Sequence, residues 1–372
     1  MIDAVLVEMP ADFAFAGAIN VEDAGAAWTW MARDLASDLM DIETIDDAAG
    51  NLAALDALMP ELLGRARTAV TEAAKDAEHT RRIKMQLGSE DAWEKLHTVI
   101  NALRCRALLD KAQGFGRASN AMADDASLAT ALQAMPLADQ TVASLLMMAT
   151  VGQVATPSRL VTAAIRVAGG AEEATLQRAG FGALIDAILA HAQNQIPPLT
   201  QTGTFGDMDL VCRSVDRFHR LLRAVTGYVE LSRNSRWSQI TAALTKAVSE
   251  RIDPKLRYVA PDLNMALRRR EGADRVDGDQ ILSALNGFYL LATVRDSRDS
   301  LAVNALFDQV WSQTGQALEI HIERNLDSLR RQPTDAVSSA RLDAALKMAE
   351  IRFSQEYAET MRRAKESAER RS

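Results

Sequence analysis

Apolar side chains recur at helical spacing in the segment that follows a Pro/Gly-rich stretch at 196–207. Positions three or four residues apart share one face of a helix, and polar residues fill the opposite face. The apolar members of this stripe are Val211, Val215, Phe218, Leu222, Val225 and Val229. The alternation typical of strands is absent from the sequence, and only residues 4–7 resemble a strand. The pattern therefore predicts an all-α protein.

Capping and breaking residues divide the chain into helices. Gly88 is expected to end one helix and Ser89 to begin the next, over 90–113. Thr156 followed by Pro157 marks another start, and Gly169-Gly170 marks its end. The first helix is expected over 23–44. A later helix is expected over 235–251. It is followed by a broken region at Pro254 and Pro261, since proline removes a backbone donor.

Helix lengths predict the architecture. Between 124 and 195 the capping and turn residues favour short helices, whereas long helices are expected over 278–297, 299–331 and 334–370. Short helix pairs are typical of helical-repeat proteins, although no fixed-period repeat is present. We expect an elongated array of antiparallel helix hairpins, with repeat-like helices in the middle and long helices at the C-terminus. The predicted domains are 1–195 and 208–372, joined by the loop at 196–207.

Composition narrows the class of protein. The chain has 372 residues, 48% of them hydrophobic, which is enough to bury a large core. Two cysteines cannot build a disulfide framework and favour a reducing compartment. The N-terminus lacks the basic residues of a secretory signal, and the apolar stretches are too short to span a bilayer. We expect a soluble, cytoplasmic protein, and abundant Ala and Arg with little Lys is typical of a GC-rich bacterial genome.

Charge is distributed unevenly. Residues 1–60 hold twelve acidic and one basic side chain, whereas residues 213–275 hold fourteen basic and seven acidic, in a chain of net charge −8. One row lies opposite the apolar stripe: Arg213, Arg217, Arg220 and Arg223. Their spacing confines them to an arc of about 120° on a helix. The arginine row is a candidate surface for a carboxylate- or phosphate-bearing partner, with a solvated helix face as the alternative.

A second candidate surface lies near the N-terminus. Asp34, Asp38 and Asp41 recur at helical spacing and form an acidic row on the predicted first helix. Such a row holds a cation only when a second row faces it, and the sequence contains no match, so we predict no metal site. Trp30 lies near this row. It either packs on the N-terminal arm or serves as an exposed anchor for a partner.

The sequence contains little catalytic chemistry. None of the five histidines lies at zinc-ligand spacing from another ligand, and no nucleophile elbow or phosphate loop is present. Cys105 and Cys212 lie in predicted helices beside arginines but without a histidine base, and we interpret them as packing residues. We predict no catalytic residues and no cofactor.

Three functions are compatible with these observations. The leading hypothesis is a non-enzymatic scaffold or adaptor that binds a protein partner or associates with itself through oppositely charged halves. The second is an all-α enzyme or small-ligand binder with a pocket between helices under the loop at 196–207. The third is a nucleic-acid binder using residues 213–275. The overall acidity and the scarcity of interleaved aromatics disfavour this third hypothesis.

Overall fold

A computed structural model describes residues 1–8, 12–39, 52–200, 206–268 and 275–370. Within these ranges the chain consists mainly of helices, so the all-α class is confirmed. Two short parallel strands, β1 (Leu6–Val7) and β2 (Ile19–Asn20), pair with each other. The first coincides with the strand-like stretch, whereas the second carries no pattern that marks it. No helix in the described ranges combines the length and apolar character needed to cross a membrane.

Contacts divide the chain into two compact units. The first comprises Met1–Asn194 and Arg220–Thr241, and the second comprises Gln195–His219 and Ala242–Ser372. The sequence instead predicts a linear division with a linker at 196–207. That linker and the hairpin arrangement stay predictions.

The helices before residue 195 are short to medium in length, and those between 124 and 195 are short, as the capping and turn residues predict. They are α1 (Val21–Thr29), α2 (Leu52–Ala73), α3 (Ala77–Leu87), α4 (Glu90–Arg104), α5 (Arg106–Ser119), α6 (Asp125–Gln133), α7 (Gln140–Val151), α8 (Pro157–Ala168), α9 (Glu173–Arg178) and α10 (Gly182–Gln193). A 3-10 turn at Asp3–Val5 precedes β1, and a π-helical segment at Trp30–Leu35 follows α1.

Longer helices dominate the rest of the chain. They are α11 (Met208–Thr226), α12 (Arg236–Leu267), α13 (Gly278–Ser297), α14 (Asn304–Arg331), α15 (Ala336–Arg352) and α16 (Gln355–Glu369). A 3-10 turn at Pro197–Thr200 lies in the predicted loop. The expected bounds of α13 are confirmed, whereas the last predicted helix is divided into α15 and α16 at Phe353 and Ser354.

Helix α7 forms the centre of the core of the first unit. All nine side chains from 143 to 151 are buried, and α7 packs against α5 and α10. A helix that is apolar on every side is stable only when other elements surround it. Gly116 of α5 permits a close approach, because a Cβ atom there would lie 2.4 Å from the carbonyl oxygen of Thr150. Any larger residue at this position would push the two helices apart.

The helix ends predicted at Gly88, Ser89, Pro157 and Gly169 are confirmed. Gly88 follows α3 with a left-handed backbone (φ 73°), and the Ser89 hydroxyl accepts from the backbone N–H of Ala92 at the start of α4. Pro157 is the first residue of α8, and Gly169 ends that helix, again in the left-handed region. These signals act within a few residues, so the sequence suffices to locate them.

Two predicted helices have different bounds. The first begins at Val21, where the Asn20 side chain accepts from the N–H of Glu22, and helical geometry ends at Leu35 rather than at 44. Residues 40–44 lie outside the described ranges. The helix expected over 90–113 breaks at Cys105, so that α4 and α5 are separate.

The predicted break at Pro254 and Pro261 is wrong, because α12 continues through both prolines. Each proline removes one backbone hydrogen bond and costs about 3 kcal/mol relative to alanine in a helix. The opposing term is burial of an apolar stripe that continues without interruption along α12. Its members are Ile252, Leu256, Val259, Leu263 and Leu267, each at most 2% exposed. Burial of such a side chain contributes about 1.5–3 kcal/mol, so the stripe outweighs the prolines.

The second unit has a continuous apolar core. It joins the end of α12 to α13, α14, α15 and α16, with Leu263, Phe288, Leu318, Leu342 and Leu346 among its buried members. Helix α15 packs against α13, α14 and α16, which explains why most of its residues from 341 to 349 are buried. Both α12 and α13 therefore contribute to one core.

A buried carboxylate connects two segments of the first unit. Glu173 is 7% exposed, and its carboxylate accepts from the backbone N–H of Ser232 (3.1 Å) and from the Ser235 hydroxyl (2.7 Å). Ser235 Oγ also accepts from the N–H of Ser238, in the first turn of α12. Glu173 thus satisfies donors at the start of this helix.

Replacement of Glu173 by Ala should destabilise the protein. The substitution leaves the Ser232 N–H and the Ser235 hydroxyl without their acceptor, so we expect the free energy of unfolding to fall by about 1–3 kcal/mol. The measurement is urea unfolding followed by circular dichroism. The control Glu172→Ala changes an exposed neighbour that makes no cap hydrogen bond, and should shift stability by less than about 0.5 kcal/mol. Equal effects of the two variants would contradict a specific role for Glu173.

Candidate functional site

A cavity of about 540 Å³ opens within the second unit. Its walls come from the 3-10 turn at Pro197–Thr200, the start of α11, the middle of α12 and the middle of α13. Its volume falls within the range of about 300–1,000 Å³ that is typical of small-molecule sites. Leu199, Thr200 and Gly206 belong to the stretch under which the sequence places a candidate pocket.

Most of the cavity wall is apolar. The apolar side chains that line it are Leu199, Met208, Val211, Pro254, Val259 and Leu290. The α12–α13 wall is closely packed at Gly287, where an added Cβ would lie 3.2 Å from Cγ1 of Val259. A largely apolar concave surface with a few polar groups is typical of ligand sites.

The polar part of the wall comes mainly from one face of α12. Arg251, Lys255, Tyr258 and Asp262 follow one another at spacings of four, three and four residues, which places them on one side of the helix. The Ser283 hydroxyl, on α13, donates to Oδ2 of Asp262 at 3.0 Å. Glu250 also lines the cavity, but its side chain is 61% exposed and lies 3.8 Å from Lys246.

Arg251 carries an unsatisfied donor. Its Nη1 donates to the backbone carbonyl of Ala247 at 2.9 Å, within α12. Its Nε is buried and has no hydrogen-bond partner among the described residues. One turn further along, burial lowers the pKa of Lys255. Both cationic side chains are therefore partly withdrawn from water at the cavity wall.

The sequence did not identify Arg251 and Lys255 as site residues. Their spacing of four residues was visible, but Pro254 lies between them and suggested a broken helix. The signal that could have located this face is the neighbouring apolar stripe of α12, which continues through both prolines.

The arginine row lies on α11, as the sequence predicts. The apolar stripe on the other side of this helix is buried, which confirms its amphipathic character. Arg213, Arg220 and Arg223 are exposed and Arg217 is half-buried. Arg213 pairs with Asp209 of its own helix at 2.8 Å. The partner-binding role of the row stays a prediction.

The predicted acidic row on one helix is wrong. Helical geometry ends at Leu35, so Asp34 and Asp38 do not share a helix face, and Asp41 lies outside the described residues. Asp34 pairs with Arg33 at 2.8 Å. Asp38 accepts two hydrogen bonds from Arg65, and these hold the pKa of the Asp38 carboxyl below its ordinary value.

Trp30 cannot act as the exposed anchor that one alternative proposed. It is 2% exposed, and its Nε1 donates to Oε1 of Gln86 at 3.2 Å. The tryptophan belongs to the core of the first unit, where its large apolar ring is withdrawn from water and its single donor is satisfied.

Metal-ligating side chains are not assembled into a centre in the described part of the chain. No group of three or more His, Cys, Asp or Glu residues there is placed to hold a metal ion. Cys105 is buried at the α4–α5 break. Cys212 is half-buried on α11, and burial raises the pKa of its thiol, which disfavours the nucleophilic thiolate.

Both thiols should react slowly with a disulfide reagent in the native protein. The raised pKa of Cys212 lowers its thiolate fraction at neutral pH, and burial shields Cys105. At pH 8, we expect each thiol to react with dithiobis(nitrobenzoate) at least about tenfold more slowly than glutathione does. Cys105→Ser and Cys212→Ser variants separate the two rates, and unfolding in guanidinium should abolish the protection. A native Cys212 that matches glutathione would contradict this assignment.

Comparison with known proteins identifies no relative. The chain matches no family model, and neither a curated protein nor a solved structure is similar to it at a significant level. Function must therefore be argued from the site itself.

Proposed function

We propose that the protein binds a small ligand in the cavity of the second unit. The observation that carries this proposal is the cavity itself, whose apolar walls are combined with two cationic side chains on one helix face. Helices that share the apolar core of the second unit supply most of these walls, so we expect the site to be largely preformed. Preformed sites lose less conformational entropy when a ligand binds.

The polar groups at the cavity favour binding over catalysis. The Ser283 hydroxyl has a carboxylate as its acceptor, and a carboxylate is a weaker base than the imidazole that usually activates serine. Among the described residues, the lining contains no histidine and no cysteine. These residues are suited to positioning a ligand, and we propose no reaction.

Occupation of the cavity can be tested with a neutral apolar fluorophore, N-phenyl-1-naphthylamine. Its fluorescence should rise saturably when it enters the apolar space. Met208→Trp adds volume to a half-buried lining position and should weaken binding by about tenfold or more, which corresponds to about 1.4 kcal/mol. The measurement is a fluorescence titration of each purified variant.

Met85→Trp is the matched control, because Met85 is 76% exposed on α3 and lies outside the cavity. This variant should bind the fluorophore as the wild type does. Absence of saturable binding to the wild type, or equal binding by Met208→Trp, would contradict ligand binding at this cavity.

The arginine row supports a second candidate function, that of a helical adaptor. Arg213 and Arg223 are exposed on a helix whose apolar side is fully buried, so their guanidinium groups are presented from a rigid element. Guanidinium pairs well with carboxylates. We propose an acidic protein surface in the cytoplasm as the partner, and the acidic segment at 1–60 of a second copy offers one.

Self-association through this row should depend on salt and on the two exposed arginines. We expect a dimer or larger species at low ionic strength that dissociates as salt is added, because screening weakens exposed charge pairs. Arg213→Ala/Arg223→Ala should weaken association by about fivefold or more. Arg81→Ala/Arg82→Ala removes two exposed arginines of α3 and serves as the control. Sedimentation velocity reports the species, and a monomer under all conditions would contradict self-association.

A further inference from the structure

We propose that the ligand of this cavity is an amphipathic carboxylate, whose headgroup binds Arg251 and Lys255 and whose hydrocarbon tail lies along the apolar wall. This inference rests on the proposed function and specifies the chemistry of its ligand. It follows from the distribution of charge and apolar surface inside the cavity.

The Arg251 guanidinium has one hydrogen-bond donor that an anion could use. Its Nη1 is occupied by the Ala247 carbonyl, whereas its Nε lacks an acceptor among the described residues. Nε belongs to the edge with which a guanidinium can bind the two oxygens of a carboxylate through parallel hydrogen bonds. A small rotation of the side chain toward the cavity would give this donor an acceptor and remove the cost of leaving it unsatisfied.

Lys255 adds a second positive charge one turn away on the same wall. Burial lowers the pKa of its ammonium group, because the buried charged form is less well solvated than in water. A bound carboxylate would stabilise that charged form. Two cations one turn apart on the cavity wall therefore favour an anionic headgroup over a neutral or cationic one.

The acidic residues of the lining do not cancel this preference. Asp262 already accepts a hydrogen bond from Ser283, and Glu250 is mostly exposed beside Lys246. The rest of the wall is largely apolar, and Met208, Pro254 and Tyr258 contribute apolar surface that the protein itself does not bury. A small inorganic anion would leave this surface uncovered, whereas a hydrocarbon tail would bury it.

Three probes of similar chain length test the headgroup: decanoate, decanol and decyltrimethylammonium. Each is titrated into the full-length protein below its micelle concentration, and its affinity is measured by displacement of N-phenyl-1-naphthylamine. Decanoate should bind at least about tenfold more tightly than the other two. Arg251→Met should remove most of this advantage while decanol affinity changes by less than about threefold.

Lys246→Met is the control, since Lys246 is 77% exposed on α12 and outside the cavity lining. It should leave decanoate binding unchanged. Lys255→Met provides the same test if Arg251→Met does not fold, as judged by circular dichroism.

The outcomes separate the two proposals. Equal binding of the three probes, or an equal loss of decanoate and decanol affinity in Arg251→Met, overturns the carboxylate inference while ligand binding stands. Binding of the fluorophore without its displacement by decanoate has the same consequence. Failure of the fluorophore and all three probes to bind overturns both proposals.

Discussion

Burial of one apolar stripe on α12 is the constraint on which the second unit depends. Ile252, Leu256, Val259 and Leu263 must all leave water together, and they do so only if the helix stays continuous through Pro254 and Pro261. Continuity then places Arg251 and Lys255 on one face, beside the buried stripe. The same packing energy that offsets two missing backbone hydrogen bonds therefore also arranges the candidate site.

The cavity lies beside a close contact between that helix and α13. Gly287 permits contact with Val259, and a hydrogen bond joins Ser283 to Asp262. On the cavity side, side chains from the 3-10 turn and from α11 complete the wall without filling the space. A packed core is intolerant of voids, so an open, partly polar cavity between rigid helices favours a binding role over a packing role.

Local sequence signals predicted local structure well. Gly88, Ser89 and Pro157 mark helix ends because each acts on backbone groups within a few residues. The buried stripe of α11 and the bounds of α13 also follow from spacing and capping alone. Sequence signals whose effect is opposed by tertiary packing predicted the helix bounds less well. The prolines of α12 predict a break because the free-energy cost of a proline in a helix is local. The burial that opposes this cost depends on other helices.

The sequence by itself determined the all-α class, several helix ends and the amphipathic face of α11, since these depend on spacing and on neighbouring residues. Only the tertiary structure decided that Trp30 is buried beside Gln86, that Asp38 pairs with Arg65 rather than joining an acidic row, and that Arg251 lines a cavity with an unsatisfied donor. Those outcomes depend on residues far apart in the chain. Their proximity is set by the packing of whole helices, and no pattern within a single helix encodes it.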